Sequence, residues 1–261
     1  PARWLADEGA DVRAVDLAVD CLEEDAVKGA GLIAIHLPMH TATRLAAAAL
    51  PKVRALNPDA HLAFYGLYAS VNEGYLRELG GDTVVAGEVE GALVELYRRL
   101  TGADQGETPD SNPANAGDAV RLDKQRYRVP RRQELPDLDR YAKLIMGDGE
   151  ERVVAYTEAT RGCKHLCRHC PVVPVYQGRF FAVPREVVMA DVRAQIQAGA
   201  QHVTFGDPDF LNGPGHAFKL AWQFHEEFPD ITYDATIKVE HLKAHADKLD
   251  DLRRTGCLFV T

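Results

Sequence analysis

The chain has 261 residues, enough for two domains of ordinary size, which excludes a peptide hormone or a disulfide-stapled miniprotein. Its residues are 46% hydrophobic and 26% charged, and no apolar run approaches the roughly 20 residues of a membrane span. The formal net charge of -9 offers no broad surface for nucleic acid, so we expect neither membrane association nor affinity for bulk nucleic acid.

Short apolar runs alternate with helical stretches over residues 1–100. The pattern predicts strands at 12–15, 32–36, 61–65 and 83–85 and helices at 23–28, 41–56, 72–79 and 89–100. Strands separated by helices pair in parallel, so residues 1–100 are predicted to form a Rossmann-like, doubly wound α/β domain. Ligands of such sheets bind past the carboxyl ends of the strands, which here are followed by the segments 37–41, 66–70 and 86–90.

The composition changes after residue 100. Residues 102–117 are polar and rich in Gly, Pro and Asn, which is typical of a linker. A short strand is predicted at 122–129, followed by an extended arm with one helical turn. We therefore interpret 101–151 as a linker and connecting arm.

The alternation of strands and helices restarts in residues 152–261. Strands are predicted at 153–158, 202–205, 231–237 and 257–261, and helices at 184–198, 215–228 and 240–254. Four such units are typical of a TIM-type βα barrel, but four strands cannot close one. The first residues contain no initiator Met, and the last strand stops without a turn or cap. We therefore expect a fragment, with both domains truncated at the chain ends.

Five cysteines are present, and three of them form the pattern C-x3-C-x2-C at Cys163, Cys167 and Cys170. Cys21 and Cys257 are isolated, and an isolated cysteine beside apolar neighbours is usually a small buried hydrophobic residue. An odd number with a tight cluster is typical of a reducing compartment, so we expect a cytoplasmic protein with a metal site and no disulfide framework.

Three thiolates on one short loop select iron–sulfur or zinc chemistry. A structural zinc site needs a fourth protein ligand, and His165 or His169 would have to supply it from a poor position in a tight loop. An iron–sulfur cluster with one iron left open explains the missing fourth ligand directly. The cluster is the favoured interpretation, and a zinc-stabilised ligand-binding or regulatory module is the alternative.

A C-x3-C-x2-C motif directly after the first strand of a partial βα barrel resembles the radical S-adenosylmethionine (radical SAM) superfamily. The resemblance implies that Cys163, Cys167 and Cys170 bind a [4Fe–4S] cluster whose fourth iron chelates the amino and carboxylate groups of SAM. It also implies reductive cleavage of SAM to methionine and a 5′-deoxyadenosyl radical, with a flavodoxin- or ferredoxin-type protein as reductant.

The same resemblance suggests a contact for the amino group of SAM. Gly206-Asp207-Pro208 occupies the place of the family's Gly-Gly-Glu motif, although the acid stands one residue early and the second Gly is absent. Asp207 is the first candidate for this contact and Asp209 is the second.

Three more residues become candidates for SAM or substrate contact by their position. His169 falls where the family usually has an aromatic residue that packs on the adenine. Lys238 and Glu240 follow the third barrel strand on the side where SAM would bind. The plainer interpretation of both charges is a solvated loop or a helix cap.

A doubly wound domain before such a barrel is similar to the cobalamin-binding (B12) domain of one large branch of the family. The residues that this resemblance places on a cobalamin-like face are Met39, His40, Gly66, Tyr68, Gly87 and Glu88. The Asp-x-His-x-x-Gly motif that supplies a lower His ligand in other cobalamin proteins is absent. Two interpretations stay open: a corrin binds without a protein His below cobalt, or the domain has lost cobalamin.

Residues 170–176, 205–214 and 236–242 look like the radical SAM subgroup named for a CUAEP or CCAEP tail. Together the resemblances imply a radical SAM enzyme that acts on an unidentified substrate. With cobalamin bound, methyl transfer or a rearrangement is expected, and without it, hydrogen abstraction. The sequence identifies no catalytic side chain.

Overall fold

The computed structural model describes residues 1–103 and 120–261. Contacts divide the chain into two compact units. The first unit comprises Pro1–Arg126, Arg131–Leu135 and His169–Tyr176, and the second comprises Tyr127–Pro130, Pro136–Arg168 and Gln177–Thr261.

A four-stranded parallel sheet lies at the centre of the first unit, in the order β1-β2-β3-β4. Its strands are β1 (Leu32–His36), β2 (His61–Tyr65), β3 (Thr83–Gly87) and β4 (Val120–Arg121). Alternate residues of β2 enter two cores on opposite faces: Leu62 and Phe64 pack in one, and Ala63 packs in the other. A sheet covered on both faces is the predicted doubly wound arrangement.

Seven helices of the first unit are described: α1 (Ala2–Asp7), α2 (Glu24–Gly29), α3 (His40–Leu56), α4 (Leu67–Val71), α5 (Glu73–Glu78), α6 (Glu90–Leu100) and α7 (Val172–Tyr176). The longest, α3, buries Ala46, Leu50 and Val53, whose spacing of three and four residues places them on one face. That stripe packs with Leu62 and Phe64 of β2.

A five-stranded sheet forms the centre of the second unit, in the order β11-β10-β9-β6-β5. It is parallel except for the antiparallel pair of β5 and β6. Its strands are β5 (Lys143–Ile145), β6 (Glu151–Thr157), β9 (His202–Phe205), β10 (Thr232–Ala235) and β11 (Cys257–Val260). A separate hairpin pairs β7 (Thr160–Gly162) with β8 (Phe180–Ala182).

Helices of the second unit pack on one face of this sheet. They are α8 (Arg185–Gln197), α9 (Pro214–Glu227), α10 (Val239–Ala244) and α11 (Leu249–Arg254), with 3-10 turns at Leu138–Arg140, Phe210–Asn212 and Ala246–Lys248. Phe205 and Tyr233 share a core with Val192 and Phe224 of the helices. The sequence prediction of a partial βα barrel is therefore confirmed.

Several local predictions are wrong. Residues 12–15 form no strand; the backbone N–H of Ala14 donates to the carboxylate of Glu134 instead of to a neighbouring strand. The strand predicted at 122–129 is replaced by β4, which ends at Arg121. The helix predicted at 240–254 is interrupted by the turn at Ala246–Lys248.

Part of the predicted linker, from 104 to 117, lies outside the described residues. In the ranges 1–103 and 120–261, no helix is long and apolar enough to cross a bilayer.

Candidate functional site

The carboxylate of Asp207 binds the backbone that leads into the cysteine loop. Its Oδ2 accepts from the N–H of Ala159 at 3.0 Å, and its Oδ1 accepts from the hydroxyl of Thr160 at 2.5 Å. Burial raises the pKa of Asp207 to about 7, against the opposing effect of these two hydrogen bonds. Both oxygens are occupied, so the structure gives Asp207 a role in holding this backbone.

Asn212, at the end of the 3-10 turn after β9, holds the first residues of the cysteine loop. Its Oδ1 accepts from the N–H of Lys164 at 3.2 Å and from Sγ of Cys163 at 3.5 Å. Its Nδ2 donates to the carbonyl of Gly162 at 3.2 Å. Because Asn212 is buried, no water could take over its hydrogen bonds to Lys164, Cys163 and Gly162 if its side chain were removed.

All three cysteines of the motif are free thiols. In the second unit, Cys163 is buried and Cys167 is half-buried; in the first unit, Cys170 is half-buried. Lys238 of the second unit lies near the first two thiols. Burial lowers the pKa of Lys238, but the hydrogen bond to Glu240 and the negative charges of Cys167, Glu240 and Cys163 outweigh this effect and raise it.

Gly206 and Tyr156 lie against each other at the carboxyl end of the second-unit sheet. A Cβ at Gly206 would lie 2.0 Å from the phenol oxygen of Tyr156, so only glycine leaves room for that ring. The Tyr156 hydroxyl lies 3.3 Å from Glu158 Oε1 and 3.4 Å from the Gly206 carbonyl. The neighbouring Pro208 is exposed.

Asp209 lies in a different environment from Asp207. Its Oδ1 accepts from the N–H of Leu211 at 3.1 Å and approaches the N–H of Lys238 at 3.5 Å. Its Oδ2 faces His241 and His165. Asp209 and Lys238, both candidates from the sequence, are therefore neighbours.

Predicted ligand residues of the first unit follow β1, β2 and β3. Met39 and His40 are exposed after β1, and the ring of His40 lies 6.4 Å from that of Tyr68. His36, at the end of β1, is exposed and stacks on Tyr65 with ring centroids 4.9 Å apart. These rings provide an aromatic and imidazole surface at one edge of the sheet.

Two positions at that edge have backbone angles and close contacts that only glycine fits. Gly66 has φ +109°, and a Cβ there would lie 2.8 Å from the His36 ring. Gly87 has φ +81°, and a Cβ there would lie 2.1 Å from the Arg121 carbonyl oxygen. Glu88 is fully buried and accepts from the Tyr176 hydroxyl at 3.2 Å, so its carboxylate binds the protein's own interior.

The predicted adenine contact, His169, is exposed and belongs to the first unit. Four residues of interest were missed by sequence reasoning: Asn212, His241, Tyr156 and His36. Asn212 and His241 act through contacts to residues 48 and 76 positions away, and no local pattern reveals those contacts. Tyr156 pairs with Thr204, two residues before Gly206, and this register is also not visible in the local sequence.

Comparison with solved structures gives the class of fold. TsrM from Kitasatospora setae, a radical S-adenosylmethionine methyltransferase, matches with a TM-score of 0.70 in the structure with tryptophan substrate and the SAM analogue aza-SAM. The structure of TsrM with cobalamin and a [4Fe–4S] cluster bound matches with a TM-score of 0.69. Identities are 17% and 16%, and each match covers 99% of this chain. The fold of the chain is therefore that of the corresponding part of TsrM.

One curated relative is similar in sequence. It is the tRNA-2-methylthio-N(6)-dimethylallyladenosine synthase of Desulfitobacterium hafniense (strain Y51), 27% identical over 101 residues, or 38% of this chain. The match covers 22% of that relative, and the structural matches cover 54% of the TsrM chains. No protein-family model matches the chain.

Replacing Gly66 with Ala tests the backbone requirement at the first-unit edge. Glycine adopts the observed φ and ψ of Gly66 without strain, whereas alanine does not. We therefore expect Gly66→Ala to lower the free energy of unfolding, measured by urea denaturation, by about 1–3 kcal/mol. Gly74 in α5 is the matched control, since a Cβ there meets nothing within 4 Å. Equal losses at both positions would contradict the assignment.

The pH dependence of stability tests the environment of Asp207. Its pKa of about 7 lies above the ordinary 3.8, so the folded chain keeps a proton that the unfolded chain releases over this range. The resulting stabilisation is complete below pH 3.8 and is lost as the pH rises towards about 7. When the unfolding free energy is plotted against pH, we expect Asp207→Asn to flatten the curve over this range. The exposed control Asp230→Asn should leave the slope unchanged. An unchanged slope in Asp207→Asn would refute the assignment.

Proposed function

We propose that this chain carries the cobalamin-binding-like and barrel portions of a radical SAM methyltransferase. The observation that carries the proposal is the set of three free thiols, Cys163, Cys167 and Cys170, within eight residues of sequence after β7. Three thiols match the donor set of a [4Fe–4S] cluster that keeps one iron open. The TsrM-like fold supports the same interpretation.

The surroundings of the thiols suit negatively charged ligands. Asn212 holds the loop at Cys163, and Lys238 lies close enough to Cys163 and Cys167 for their charges to affect its pKa. Lys164 and Arg168 add positive charge within the loop itself. Thiolates are the form that binds metal, so positive charge in the loop compensates the negative charge that a bound cluster and its ligands bring. When bound and reduced, the cluster supplies the electron for cleavage of SAM.

We propose that SAM binds beside the loops that follow β9 and β10. Gly206 lies against the ring of Tyr156, whose hydroxyl is 3.4 Å from the Gly206 carbonyl, and Lys238 offers a cation to the carboxylate of SAM. Asp207 is fully hydrogen-bonded to Ala159 and Thr160. Asp209 stays the other candidate for the amino group, although its Oδ2 already lies 2.7 Å from Nδ1 of His241. Pro208 and His169 stay predicted contacts.

Cobalamin is the proposed ligand of the first unit. The exposed Met39, His40 and His36 and the glycine backbone at Gly66 give the carboxyl edge of the sheet an open surface. Parallel α/β sheets bind ligands at this edge. A methyl group carried by cobalamin is the reason for proposing methyl transfer as the reaction.

Methylthiolation of tRNA is a second candidate, favoured by the similarity to the Desulfitobacterium relative. That similarity covers 38% of this chain, whereas the structural match to TsrM covers 99%. A net charge of -9 also disfavours a large polyanionic substrate. We therefore propose methyl transfer to a small organic substrate, in the reducing cytoplasm, with a flavodoxin- or ferredoxin-type reductant.

Anaerobic reconstitution with ferrous iron and sulfide tests the cluster. We expect about four iron and four sulfide per chain and a visible chromophore that dithionite bleaches. Cys163→Ala, Cys167→Ala and Cys170→Ala are each expected to lose most of it, whereas the isolated Cys21→Ala retains it. One tightly bound zinc that is lost in the Cys163→Ala, Cys167→Ala and Cys170→Ala variants, with no chromophore, would instead support the zinc-stabilised module.

Titration with hydroxocobalamin tests the first unit separately. We expect saturable binding, followed by the corrin absorption spectrum, and weaker binding in Gly66→Ala than in Gly74→Ala. Absence of saturable binding by the wild-type chain would remove cobalamin from the proposal and leave the cluster result unaffected.

A further inference from the structure

His165, Asp209 and His241 bring three potential metal ligands together in the second unit. His165 lies in the cysteine loop, Asp209 follows β9, and His241 lies in α10. Nε2 of His165 is 3.1 Å from Nε2 of His241, and Oδ2 of Asp209 is 2.7 Å from Nδ1 of His241 and 3.9 Å from Nε2 of His165. One ligand atom from each residue lies within 4.8 Å of the others.

Two atoms of this group are buried without a hydrogen bond. The side chains of Asp209 and His241 are 2% and 9% exposed. Oδ2 of Asp209 and Nδ1 of His241 lie 2.7 Å apart at ion-pair distance, and among the described residues neither atom makes a hydrogen bond. Burying a carboxylate oxygen is costly unless positive charge compensates it, so the arrangement favours a cation at this group of side chains.

We propose that His165, Asp209 and His241 form a mononuclear site for a divalent transition metal of the zinc class. Two imidazoles and one carboxylate are ligands that such ions prefer. Zinc bonds of about 2.0–2.2 Å in a tetrahedron place ligand atoms about 3.3 Å apart. The two Nε2 atoms are 3.1 Å apart and Oδ2 of Asp209 is 3.9 Å from Nε2 of His165, so ligation through Nε2 of both histidines is near this spacing. The 2.7 Å contact of Oδ2 is with the other nitrogen of His241, Nδ1, which would not bind the same ion. Three protein ligands leave a fourth position open for water or a substrate atom.

The surrounding structure orients the carboxylate. Oδ1 of Asp209 accepts from the N–H of Leu211, which leaves Oδ2 directed at the two imidazoles. Outer hydrogen bonds of this kind fix the ligands of metal sites. Because His165 stands between Cys163 and Cys167 in the sequence, metal binding would also restrain the cysteine loop.

This inference does not depend on the proposed function, since none of the three ligands is a cysteine. It does assign Asp209 to a metal, in place of the amino group of SAM. The two assignments are separable, because the metal is measured without SAM and without a cluster.

The test uses Co²⁺ as the probe in the chain with Cys163→Ser, Cys167→Ser and Cys170→Ser, which has no thiol in the loop. We expect one Co²⁺ per chain with visible d–d bands, no thiolate charge-transfer band, and displacement by Zn²⁺. Adding His241→Ala should weaken binding by at least about tenfold. Adding His245→Ala, the matched control one turn further on, should leave it unchanged.

Asp209→Asn gives a second variant that keeps the shape of the side chain and its acceptor for Leu211. It should also weaken Co²⁺ binding, with the circular dichroism spectrum unchanged. The proposal is overturned if the thiol-free chain takes up no Co²⁺, or if His241→Ala and Asp209→Asn bind it as tightly as the His245→Ala control. Those outcomes would leave reconstitution of the cluster in the wild-type chain as a separate result.

Discussion

The geometry of the second unit depends on hydrogen bonds from the segment 206–212 to the start of the cysteine loop. Asp207 binds Ala159 and Thr160, and Asn212 binds Lys164. The bonded residues are 47 or 48 positions apart in the sequence and are held together by parallel pairing of β6 with β9. Removing one buried partner costs about 1–3 kcal/mol, because the remaining N–H or hydroxyl has no water to bind. The entry into the loop is therefore held by the protein's own polar groups.

Two acids in this segment show how environment separates residues that look alike in sequence. Asp207 and Asp209 stand two positions apart, and both are buried. Asp207 has donors on both oxygens, which fits a structural carboxyl, and burial raises its pKa to about 7. Asp209 has a backbone donor on one oxygen and two imidazoles near the other. The two carboxyls therefore differ in their neighbours: Asp207 accepts from the chain before the cysteine loop, whereas one oxygen of Asp209 faces imidazoles, which are metal-binding groups.

Much of the fold could be predicted from the sequence, because strand and helix periodicities are local. Strands at 32–36 and 61–65 have the predicted bounds, and the alternation of strands and helices gave the parallel sheets of both units. The strand at 12–15 failed because apolar residues pair only where a neighbouring strand is available. Within the candidate site, the thiols could be predicted from spacing alone. The contact of His165 with His241 could not be predicted, because it depends on where the fold places α10 after β10.

The distribution of charge explains why the net charge of the chain says little about its site. Charges in water are screened over about 8 Å at physiological ionic strength, so a thiol responds to its immediate neighbours. The run from Cys163 to Cys170 contains Lys164 and Arg168 and no acidic residue, and Lys238 adds a cation from the start of α10. The effect of Cys167 and Cys163 on the pKa of Lys238 shows that these groups are close enough to interact. A chain of net charge -9 therefore still places Lys164 and Arg168 in its cysteine loop and Lys238 near it, with Glu240 3.3 Å from the Lys238 ammonium.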